Sequence, residues 1–507
     1  MCKSIIKIIL LIYCLLCCTI FAVCYFYCCA QTMYGNFSVF QLIFHFAAIN
    51  KNYFSQNVFY TVIIPFGLSF GFILLVLKKP LLCLRRYLSS ATIEYWKKHQ
   101  YLLSFLTSTL TAVFGILIAV FMFDDPASQM IEQAKYAYNM AYNPAPYDTI
   151  IDENFIRPEN LQFANPKPRN LVIIFAESLE KTFTDATIFG SDLLPKLYAK
   201  GGTGIDGYEQ LSETDWTQAS IFASLCGITT KQYFPKRRLA DNIVCISDIT
   251  AKFGYYNYYL QGSSLQFTDN REFLEAHSFN QVEGIENLPK MADDKLSPYK
   301  LYSDKMYAKN FIGDILDDKE LLEIFKYKIT ELKQQKQPFM AIAFTMNTHP
   351  YDGYRSPECP KKYKDMRDAV ICSDLLLSSF VEWFSEQKPA DDTTLVIIGD
   401  HLMMHSNIHK YIDKAGKRET LNLMWGSGAL AHNIRKPFNQ FDWAPTLLQI
   451  AGFVWNGNKF ALGTSLLSAE PTLQETYGNT LNDRLLNNSE FYENYIFTQK
   501  PNPEDAG

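Results

Sequence analysis

Polar side chains stand at the points where three apolar runs of this chain end. Glu177 follows the run NLVIIFA, Asp400 and His401 follow TLVIIG, and His349 lies just beyond FMAIAFT. Functional residues of an open parallel sheet collect beyond the carboxyl ends of its strands, so these side chains are expected to converge. Two carboxylates and an imidazole are a ligand set for a divalent metal ion. Alone, Glu177 could cap a helix and Gly-Asp-His could form a turn, but their joint position favours the metal site.

A candidate nucleophile lies in the segment ETDWTQAS, residues 213–220. This segment opens a predicted helix over 217–225, which ends before Gly227. A hydroxyl at a helix N-terminus gains from the positive end of the helix dipole, which favours an alkoxide and an attacked phosphate. Three hydroxyl residues compete on these grounds, and each could also be a plain helix cap. They are Thr214, Thr217 and Ser220.

The residues around these motifs alternate short apolar runs with helical patterns. The predicted strands are 170–176, 255–261, 339–345, 394–399 and 421–425, and the predicted helices are 192–200, 239–252, 305–335 and 367–387. Strands that are apolar on both faces belong to a parallel sheet covered by helices. The pattern therefore predicts an α/β sandwich with a mostly parallel sheet, a single catalytic domain over residues 166–470.

Three N-terminal runs, residues 8–29, 58–77 and 102–123, contain no Asp, Glu, Lys or Arg. Each reaches the roughly 20 residues that span a hydrocarbon core, which predicts three transmembrane helices in a membrane domain over 1–125. The first run is too long for the apolar part of a signal peptide. Six basic residues lie between the second and third runs and one between the first and second. The positive-inside rule therefore places the N-terminus in the cytoplasm and the catalytic domain outside it.

Two further segments complete the predicted organisation. Residues 126–165 are expected to form a juxtamembrane helix and a linker, and residues 471–507 a polar C-terminal tail. The net charge of −5 shows no basic bias, so a nucleic-acid partner is not expected.

Four of the twelve cysteines fall in the predicted outer domain. Pairing of neighbours closes the shortest loops and suits an oxidising compartment, so disulfides 226–245 and 359–372 are predicted. The alternative is four buried free thiols, namely Cys226, Cys245, Cys359 and Cys372.

Seven blocks of the sequence cover nearly the whole predicted outer domain. The blocks are NLVIIFAESLEKTF (170–183), TQASIFASLCG (217–227), YYLQGSSLQFTDNREFLEAHSF (258–279), TMNTHPYDGYRSPEC (345–359), CSDLLLSSF (372–380), GDHLMM (399–404) and FDWAPTLLQIAG (441–452). In the same order, these blocks resemble the lipoteichoic acid synthase and phosphoglycerol transferase branch of the sulfatase and alkaline phosphatase superfamily. The similarity is greatest to the bacterial phosphoglycerol transferases that decorate periplasmic glucans.

The resemblance implies a role for each candidate residue. Thr217 matches the family's nucleophile, which is also a metal ligand. His349 matches the histidine that contacts the glycerol-phosphate group, and Arg271 stands where relatives have a basic residue near the phosphate. The remaining metal ligands are Glu177, Asp400 and His401. Manganese is the first choice of metal by this resemblance, followed by zinc and magnesium.

The same resemblance implies a reaction and a location. It implies a membrane-anchored transferase that moves phosphoglycerol from phosphatidylglycerol to a hydroxyl of a glycan or glycolipid through a threonine-linked intermediate. The chain would then lie in a bacterial inner membrane, with its catalytic domain in the periplasm. Gln261 stands where lipoteichoic acid synthases have a histidine, and Thr268 where they have a tryptophan. Both departures favour the glucan-decorating type over polymer synthesis.

Two other functions stay open from the sequence. A phosphoethanolamine transferase would use the same nucleophile and metal, and an inactive membrane sensor or scaffold could retain the fold. The intact ligand set argues against the second. A sulfatase is disfavoured because the Cys/Ser-x-Pro-x-Arg signature of formylglycine enzymes is not found.

Overall fold

The computed structural model describes residues 146–230, 243–265, 270–287, 301–302, 315–350, 352–387, 392–404, 406–430 and 432–491, together with Thr109 and Val113. Apart from those two residues, the three predicted membrane spans and the predicted juxtamembrane helix lie outside the described part of the chain. No helix among the described residues is both long enough and apolar enough to cross a bilayer.

Most of the described strands belong to one sheet. They are β1 (Asn170–Ala176), β2 (Thr203–Tyr208), β3 (Tyr256–Gln261), β4 (Gln281–Glu283), β5 (Leu301–Tyr302), β6 (Ile315–Leu316), β7 (Phe339–Phe344), β8 (Thr393–Gly399), β9 (Asn422–Gly426), β10 (Ile434–Phe438), β11 (Lys459–Phe460) and β12 (Gly463–Thr464). The order across the main sheet is β10-β2-β9-β8-β1-β7-β3-β4. Strand β1 pairs in parallel with β7 and β8, and β3 pairs in parallel with β7 and β4. Strand β9 runs antiparallel to its neighbours β8 and β2.

Helices cover both faces of this sheet. The described α-helices are α1 (Ile150–Asn154), α2 (Ala186–Phe189), α3 (Pro195–Tyr198), α4 (Thr217–Cys226), α5 (Ile246–Lys252), α6 (Asn270–Ala276), α7 (Asp318–Gln334), α8 (Met366–Glu386), α9 (His409–Ile412), α10 (Trp443–Ile450), α11 (Leu473–Tyr477) and α12 (Leu481–Leu485). Short 3-10 helices lie at Pro158–Asn160, Lys181–Thr184, Gln440–Asp442 and Gly478–Thr480.

The two faces of β1 show how the sandwich is built. Side chains at 171, 173 and 175 pack into one core with α4, α5 and α10, whereas those at 172, 174 and 176 pack into a second core with α7 and α8. All six are buried because successive side chains of a strand point to opposite faces and both faces are covered. The predicted α/β sandwich is therefore present.

All five apolar runs are strands of the main sheet, with ends that shift by no more than one residue. Strand β9, from the run 421–425, is antiparallel rather than parallel. The other three strands of the main sheet, β2, β4 and β10, were not predicted, because TGIDGY is rich in glycine, β4 has only three residues, and IRKPF carries two basic residues and a proline. Pro437 is tolerated because β10 is an edge strand.

Three predicted helices begin later than expected. Of the predicted helix 192–200, only α3 (Pro195–Tyr198) is an α-helix. Helix α7 starts at Asp318, because Asp317 caps it by accepting a hydrogen bond from the Lys319 backbone N–H and β6 precedes it. Helix α5 starts at Ile246, with Cys245 as its N-cap residue. Residues 239–242 and 305–314, the first parts of those two predicted helices, lie outside the described chain.

Both disulfides predicted by neighbour pairing are present. Cys226–Cys245 joins the last residue of α4 to the cap of α5, and Cys359–Cys372 joins the loop after β7 to α8. Helix α4 ends at Gly227, whose φ of +71° is a left-handed conformation that glycine adopts without strain. A disulfide that closes a loop as short as 226–245 or 359–372 contributes about 3 kcal/mol to the free energy of unfolding.

The segments expected to be a linker and a polar tail are folded against the domain where they are described. Tyr147 pairs with Asn488, and Arg484 forms an ion pair with Asp148 at 2.6 Å. Helix α11 begins with a capping box in which the Thr472 hydroxyl bonds the Glu475 backbone N–H. The described part of 471–507 is thus not a loose tail, because its short helices bury three of its four leucines: Leu473, Leu481 and Leu485.

Replacing Leu481 by alanine is expected to lower the free energy of unfolding by about 3 kcal/mol, because the side chain is fully buried in the core. Urea-dependent proteolysis of the full-length chain measures the change. Asp483→Ala, an exposed position in the same helix, is the control and should change stability by less than about 0.5 kcal/mol. Equal stability of Leu481→Ala and wild type would contradict the packing of α12.

Candidate active site

The sheet brings two carboxylates together at its carboxyl edge. Strands β1 and β8 pair in parallel with Ala176 opposite Gly399, so the next residues, Glu177 and Asp400, emerge side by side. His401 follows Asp400 directly. All three side chains are buried, and their potential ligand atoms lie within 4.8 Å of one another. The structure thus brings Glu177 together with Asp400 and His401, which lie more than two hundred positions further along the sequence.

Asp400 is a buried acid with an unused oxygen. Its Oδ1 accepts hydrogen bonds from the backbone N–H of Ser178 at 2.7 Å and of His401 at 2.9 Å. Its Oδ2 accepts none from any described residue. Burial and the nearby Glu177 carboxylate raise the pKa of Asp400 to about 7, although His401 opposes them. A buried acceptor next to a second carboxylate is a site that a cation would stabilise.

His401 presents a nitrogen lone pair to this cluster. Its Nδ1 lies 2.9 Å from the Leu402 carbonyl oxygen, which can only accept, so Nδ1 carries the hydrogen in the neutral ring. Its Nε2 lies 3.3 Å from Asp400 Oδ2 and 3.6 Å from Glu177 Oε1. Burial lowers the pKa of His401, but the two carboxylates outweigh burial and the net shift is upward.

Thr217 is the hydroxyl residue that reaches the cluster. Its Oγ1 lies 3.2 Å from Glu177 Oε2 and 3.4 Å from His401 Nε2. Extended backbone at Trp216 precedes it, so Thr217 is the first residue of α4 and its hydroxyl lies at the positive end of the helix. The side chain is half-buried, which leaves it accessible to a substrate.

The two competing hydroxyl residues have other partners. Thr214 Oγ1 donates to the Leu211 carbonyl oxygen at 3.3 Å. Ser220 Oγ donates to the Asp400 carbonyl oxygen, so it ties α4 to the end of β8 and supports the cluster. Of the three candidates, the geometry therefore favours Thr217 as the nucleophile.

The donor set fits a divalent metal ion. Two carboxylates, one imidazole nitrogen and one hydroxyl oxygen converge, and Asp400 Oδ2 has no other partner among the described residues. Mixed oxygen and nitrogen ligation suits manganese, zinc or magnesium without selecting sharply among them. Glu177, Thr217, Asp400 and His401 would hold the ion.

Ser178 is a supporting residue that the motif search did not single out. It has a φ of +50°, unusual for a residue other than glycine. This turn aims its backbone N–H at Asp400, while its hydroxyl donates to Glu177 Oε1 at 2.6 Å. The sequence feature that could have identified Ser178 is its position next to Glu177.

A buried ion pair, which we call the Glu180–Arg418 clamp, holds the chain just after His401. Glu180 is fully buried and accepts hydrogen bonds from the Met403 backbone N–H at 2.7 Å and from Arg418 Nε at 3.0 Å. Arg418 Nη2 donates to the Met403 carbonyl oxygen at 2.8 Å. From the other side, Gln210 accepts a hydrogen bond from the Leu402 N–H at 2.7 Å. Both residues after His401 are thereby fixed, and with them the imidazole.

The structure does not bring every predicted residue to the cluster. His349 is half-buried, and its Nδ1 lies 2.5 Å from the Pro350 carbonyl oxygen. The described contacts of Arg271 are with Glu275, Val282 and Asn287, all on its own helix or near β4. Neither side chain contacts the metal-ligand cluster among the described residues, so their roles remain predictions from the resemblance.

The loop carrying His349 is nonetheless well fixed. Asp318, at the start of α7, accepts hydrogen bonds from the backbone N–H groups of Met346 at 2.6 Å and of Asn347 at 3.0 Å. Burial raises the pKa of Asp318 to about 8. Asn347 in turn donates to Asp317 Oδ1 at 2.9 Å. This network ties the end of β7 to α7 and was not predicted.

A second group of potential ligands is structural. Cys245, Asp248 and His277 lie close together, but Cys245 is bonded to Cys226. Asp248 accepts hydrogen bonds from the Cys245 backbone N–H at 2.9 Å and from the Ser278 hydroxyl at 2.8 Å, and it lies 2.9 Å from His277 Nδ1. These contacts cap α5 and join it to the end of α6.

Wild-type protein is expected to bind one divalent metal ion per chain, and Asp400→Asn should weaken binding at least about a hundredfold by removing a charged ligand. Equilibrium dialysis with manganese, followed by elemental analysis, measures this. Asp248→Asn is the matched control in the second group and should leave affinity unchanged. Retention of full affinity by Asp400→Asn would refute the assignment.

Arg418→Lys is expected to weaken metal binding about tenfold. Lysine keeps the charge but cannot donate hydrogen bonds to the Glu180 carboxylate and the Met403 carbonyl oxygen at the same time. The same dialysis measures it. Arg435→Lys, at an exposed position, should have no effect. Unchanged affinity of Arg418→Lys would show that the Glu180–Arg418 clamp does not position His401.

Comparison with known proteins agrees with this architecture. The sulfatase family profile matches residues 169–453, more than half of the chain. Phosphoglycerol transferase I of Escherichia coli O6:K15:H31 is 31% identical over 327 residues, 60% of this chain. The match spans only 40% of the length of that relative.

The chain also matches, at low similarity, two solved structures of a lipoteichoic acid synthase and a phosphoglycerol transferase. The lipoteichoic acid synthase LtaP from Listeria monocytogenes is 17% identical, with 59% of this chain and 76% of that chain covered and a TM-score of 0.46. The Streptococcus pyogenes phosphoglycerol transferase GacH, in complex with sn-glycerol-1-phosphate, is 16% identical, with 59% and 77% covered and a TM-score of 0.42. From the profile match and the α/β sandwich, this chain belongs to the sulfatase family.

Proposed function

We propose that this chain is a metal-dependent transferase that moves phosphoglycerol from phosphatidylglycerol to a hydroxyl group outside the cytoplasm. The observation that carries the proposal is the Thr217 hydroxyl, held at the start of α4 within hydrogen-bonding distance of Glu177 and His401. The curated relative named phosphoglycerol transferase I supports the choice of transferred group. The intact cluster argues against an inactive sensor or scaffold.

Thr217 acts as the nucleophile in the proposed reaction. Its Oγ forms a bond to the phosphorus of phosphatidylglycerol, and the bond from phosphorus to the diacylglycerol oxygen breaks. An acceptor hydroxyl then attacks the same phosphorus and displaces Thr217, which regains its hydroxyl. Glu177 orients Thr217 by accepting a hydrogen bond from its hydroxyl. The positive end of α4 favours negative charge on the same hydroxyl oxygen.

The metal site lies where charge develops in this reaction. A bound divalent ion would stabilise negative charge on a phosphoryl oxygen and on the attacking hydroxyl oxygen. Manganese is the proposed ion, with zinc and magnesium as alternatives. His349 and Arg271 are proposed to bind the glycerol-phosphate group, which would require both side chains to leave their present partners for the substrate.

The proposed donor and acceptor explain the predicted membrane domain. A lipid donor requires access to a bilayer, and the apolar runs 8–29, 58–77 and 102–123 would provide the anchor. By the positive-inside rule the catalytic domain, 166–470 in the sequence-based division, would lie in the periplasm of a bacterial cell. The acceptor is then a hydroxyl of a glycan or glycolipid.

Thr217→Ala is expected to abolish release of diacylglycerol from phosphatidylglycerol, with a loss of at least about a thousandfold, because no covalent intermediate can form. Chromatography of labelled diacylglycerol measures turnover by the detergent-solubilised full-length chain. The fold should survive, since loss of a hydroxyl at a helix start costs about 1 kcal/mol. Thr217→Ser should retain part of the activity through the same oxygen.

Thr214→Ala is the matched control, because its hydroxyl donates to the Leu211 carbonyl oxygen rather than to the metal-ligand cluster and should be dispensable. Phosphatidylethanolamine is the control donor and should be a poor substrate. Near wild-type release by Thr217→Ala would overturn the nucleophile, and a preference for phosphatidylethanolamine would make the chain a phosphoethanolamine transferase.

A further inference from the structure

A basic patch with aromatic rings at its centre lies on two loops of the described domain. Three of its lysines precede α8, and two lie in or just after α9. All five are exposed on the surface, while the chain as a whole carries a net charge of −5. They are Lys361, Lys362, Lys364, Lys410 and Lys414. These lysines, with Tyr363, Arg367 and Tyr411 between them, form the basic patch.

Arg367 fixes the centre of the basic patch. Its guanidinium carbon lies 4.0 Å from the ring centroid of Tyr363 and 4.6 Å from that of Tyr411. Asp365 holds the guanidinium through two hydrogen bonds, from Nε at 2.9 Å and from Nη2 at 2.7 Å. The Tyr363 hydroxyl lies 2.9 Å from Ser191 Oγ. Two tyrosine rings are thus held in place at the surface by a cation between them.

The lysines of the basic patch are not neutralised. The ammonium groups of Lys362, Lys410 and Lys414 lie 4.6–5.8 Å from a tyrosine ring centroid. None of the five patch lysines forms an ion pair with a residue in the described part of the chain. By contrast, Lys326 and Lys328 of α7 each pair with a glutamate. Charge is therefore left available on this surface for an external anion.

The basic patch lies at the same edge of the sheet as the candidate active site. The loop 345–365 leaves the carboxyl end of β7, and the segment 400–421 leaves the carboxyl end of β8. The two loops contact each other, because Asn407 accepts a hydrogen bond from the Met366 backbone N–H at 3.0 Å. Thus the loops that carry His349 and His401 also carry the patch.

We infer that the basic patch docks on the headgroups of anionic lipids and so holds the active-site edge of the sheet at a bilayer surface. The inference rests on the proposed action on a membrane phospholipid. Lysines attract an anionic leaflet at short range, and tyrosine rings favour the interface because one end is apolar and the other polar. A soluble polyanion would need the charge but not the fixed rings, so the combination favours a lipid surface.

The test measures binding apart from catalysis. Full-length protein in phosphatidylcholine nanodiscs is mixed with separate vesicles containing about 30% phosphatidylserine in phosphatidylcholine, or with pure phosphatidylcholine vesicles, and vesicle-bound protein is measured by flotation. Phosphatidylserine is chosen because it is not the proposed donor, so binding at the active site does not contribute. Wild type is expected to float with the anionic vesicles and not with the pure phosphatidylcholine vesicles. About 0.5 M salt should release it from the anionic vesicles.

Variants locate the binding surface. Replacing Lys362, Lys410 and Lys414 together by glutamine should reduce flotation about tenfold or more. The matched control replaces three exposed lysines that precede β1, β3 and β7, at the opposite edge of the sheet, and should stay within about twofold of wild type. These control residues are Lys167, Lys252 and Lys336. Thermal unfolding of both triple variants verifies that they fold.

Each result decides the inference. The inference would be overturned if the patch variant floated as well as wild type, or if the control variant lost as much flotation as the patch variant. It would also be overturned if wild type did not bind anionic vesicles. Wild type that binds an anionic oligosaccharide but no vesicle would make the surface a glycan site and would also overturn it. Diacylglycerol release from detergent-dispersed phosphatidylglycerol tests the proposed function separately: flotation without release overturns that function and leaves lipid docking standing.

Discussion

The parallel pairing of β1 with β8 places two carboxylates side by side in the protein interior, and the surrounding structure compensates for that constraint. Because Ala176 lies opposite Gly399, Glu177 and Asp400 leave the sheet as neighbours with no solvent exposure. Gly399 allows the chain after Glu177 to pass close to the end of β8, because a Cβ at position 399 would lie 2.2 Å from the Leu179 carbonyl oxygen. Burial disfavours the charged form of Asp400, and repulsion from the Glu177 carboxylate adds to this effect, so the pKa of Asp400 is raised.

Three kinds of group compensate for this repulsion. Backbone N–H groups of Ser178 and His401 bond Asp400, and the Ser178 hydroxyl bonds Glu177. The imidazole of His401, held by its own Nδ1 hydrogen bond, presents its other nitrogen to both carboxylates and offsets their repulsion when that nitrogen is protonated. The oxygen that is left over, Asp400 Oδ2, is where a cation would complete the set. The chemistry of Thr217 depends on this arrangement, because its hydroxyl is oriented by the same carboxylate.

Much of this architecture could be predicted from the sequence, for physical reasons. Strands such as 170–176 and 339–344 are buried on both faces, so their apolar runs are unbroken and easily recognised, and the polar residues that end them mark the edge where a site forms. The choice of Thr217 over Thr214 and Ser220 depended on the resemblance, because all three lie near one helix start. Only packing shows that Ser220 bonds Asp400 while Thr217 faces the cluster.

Other features depend on contacts that no local pattern encodes. Strand β10 is an edge strand with alternating exposed residues, so it has no apolar run. Arg418 pairs with Glu180, which lies more than two hundred residues earlier in the sequence. The C-terminal segment after residue 470 is polar in composition, yet three of its leucines belong to the same core as α4, α5 and α10.

The most direct test of the central claim is mass spectrometry of the full-length protein trapped after incubation with phosphatidylglycerol and no acceptor. A glycerophosphate group should be added to the peptide that contains Thr217, and fragmentation should place it on that residue. An adduct on Ser220 or another residue, or steady diacylglycerol release with no covalent adduct at any time, would contradict it.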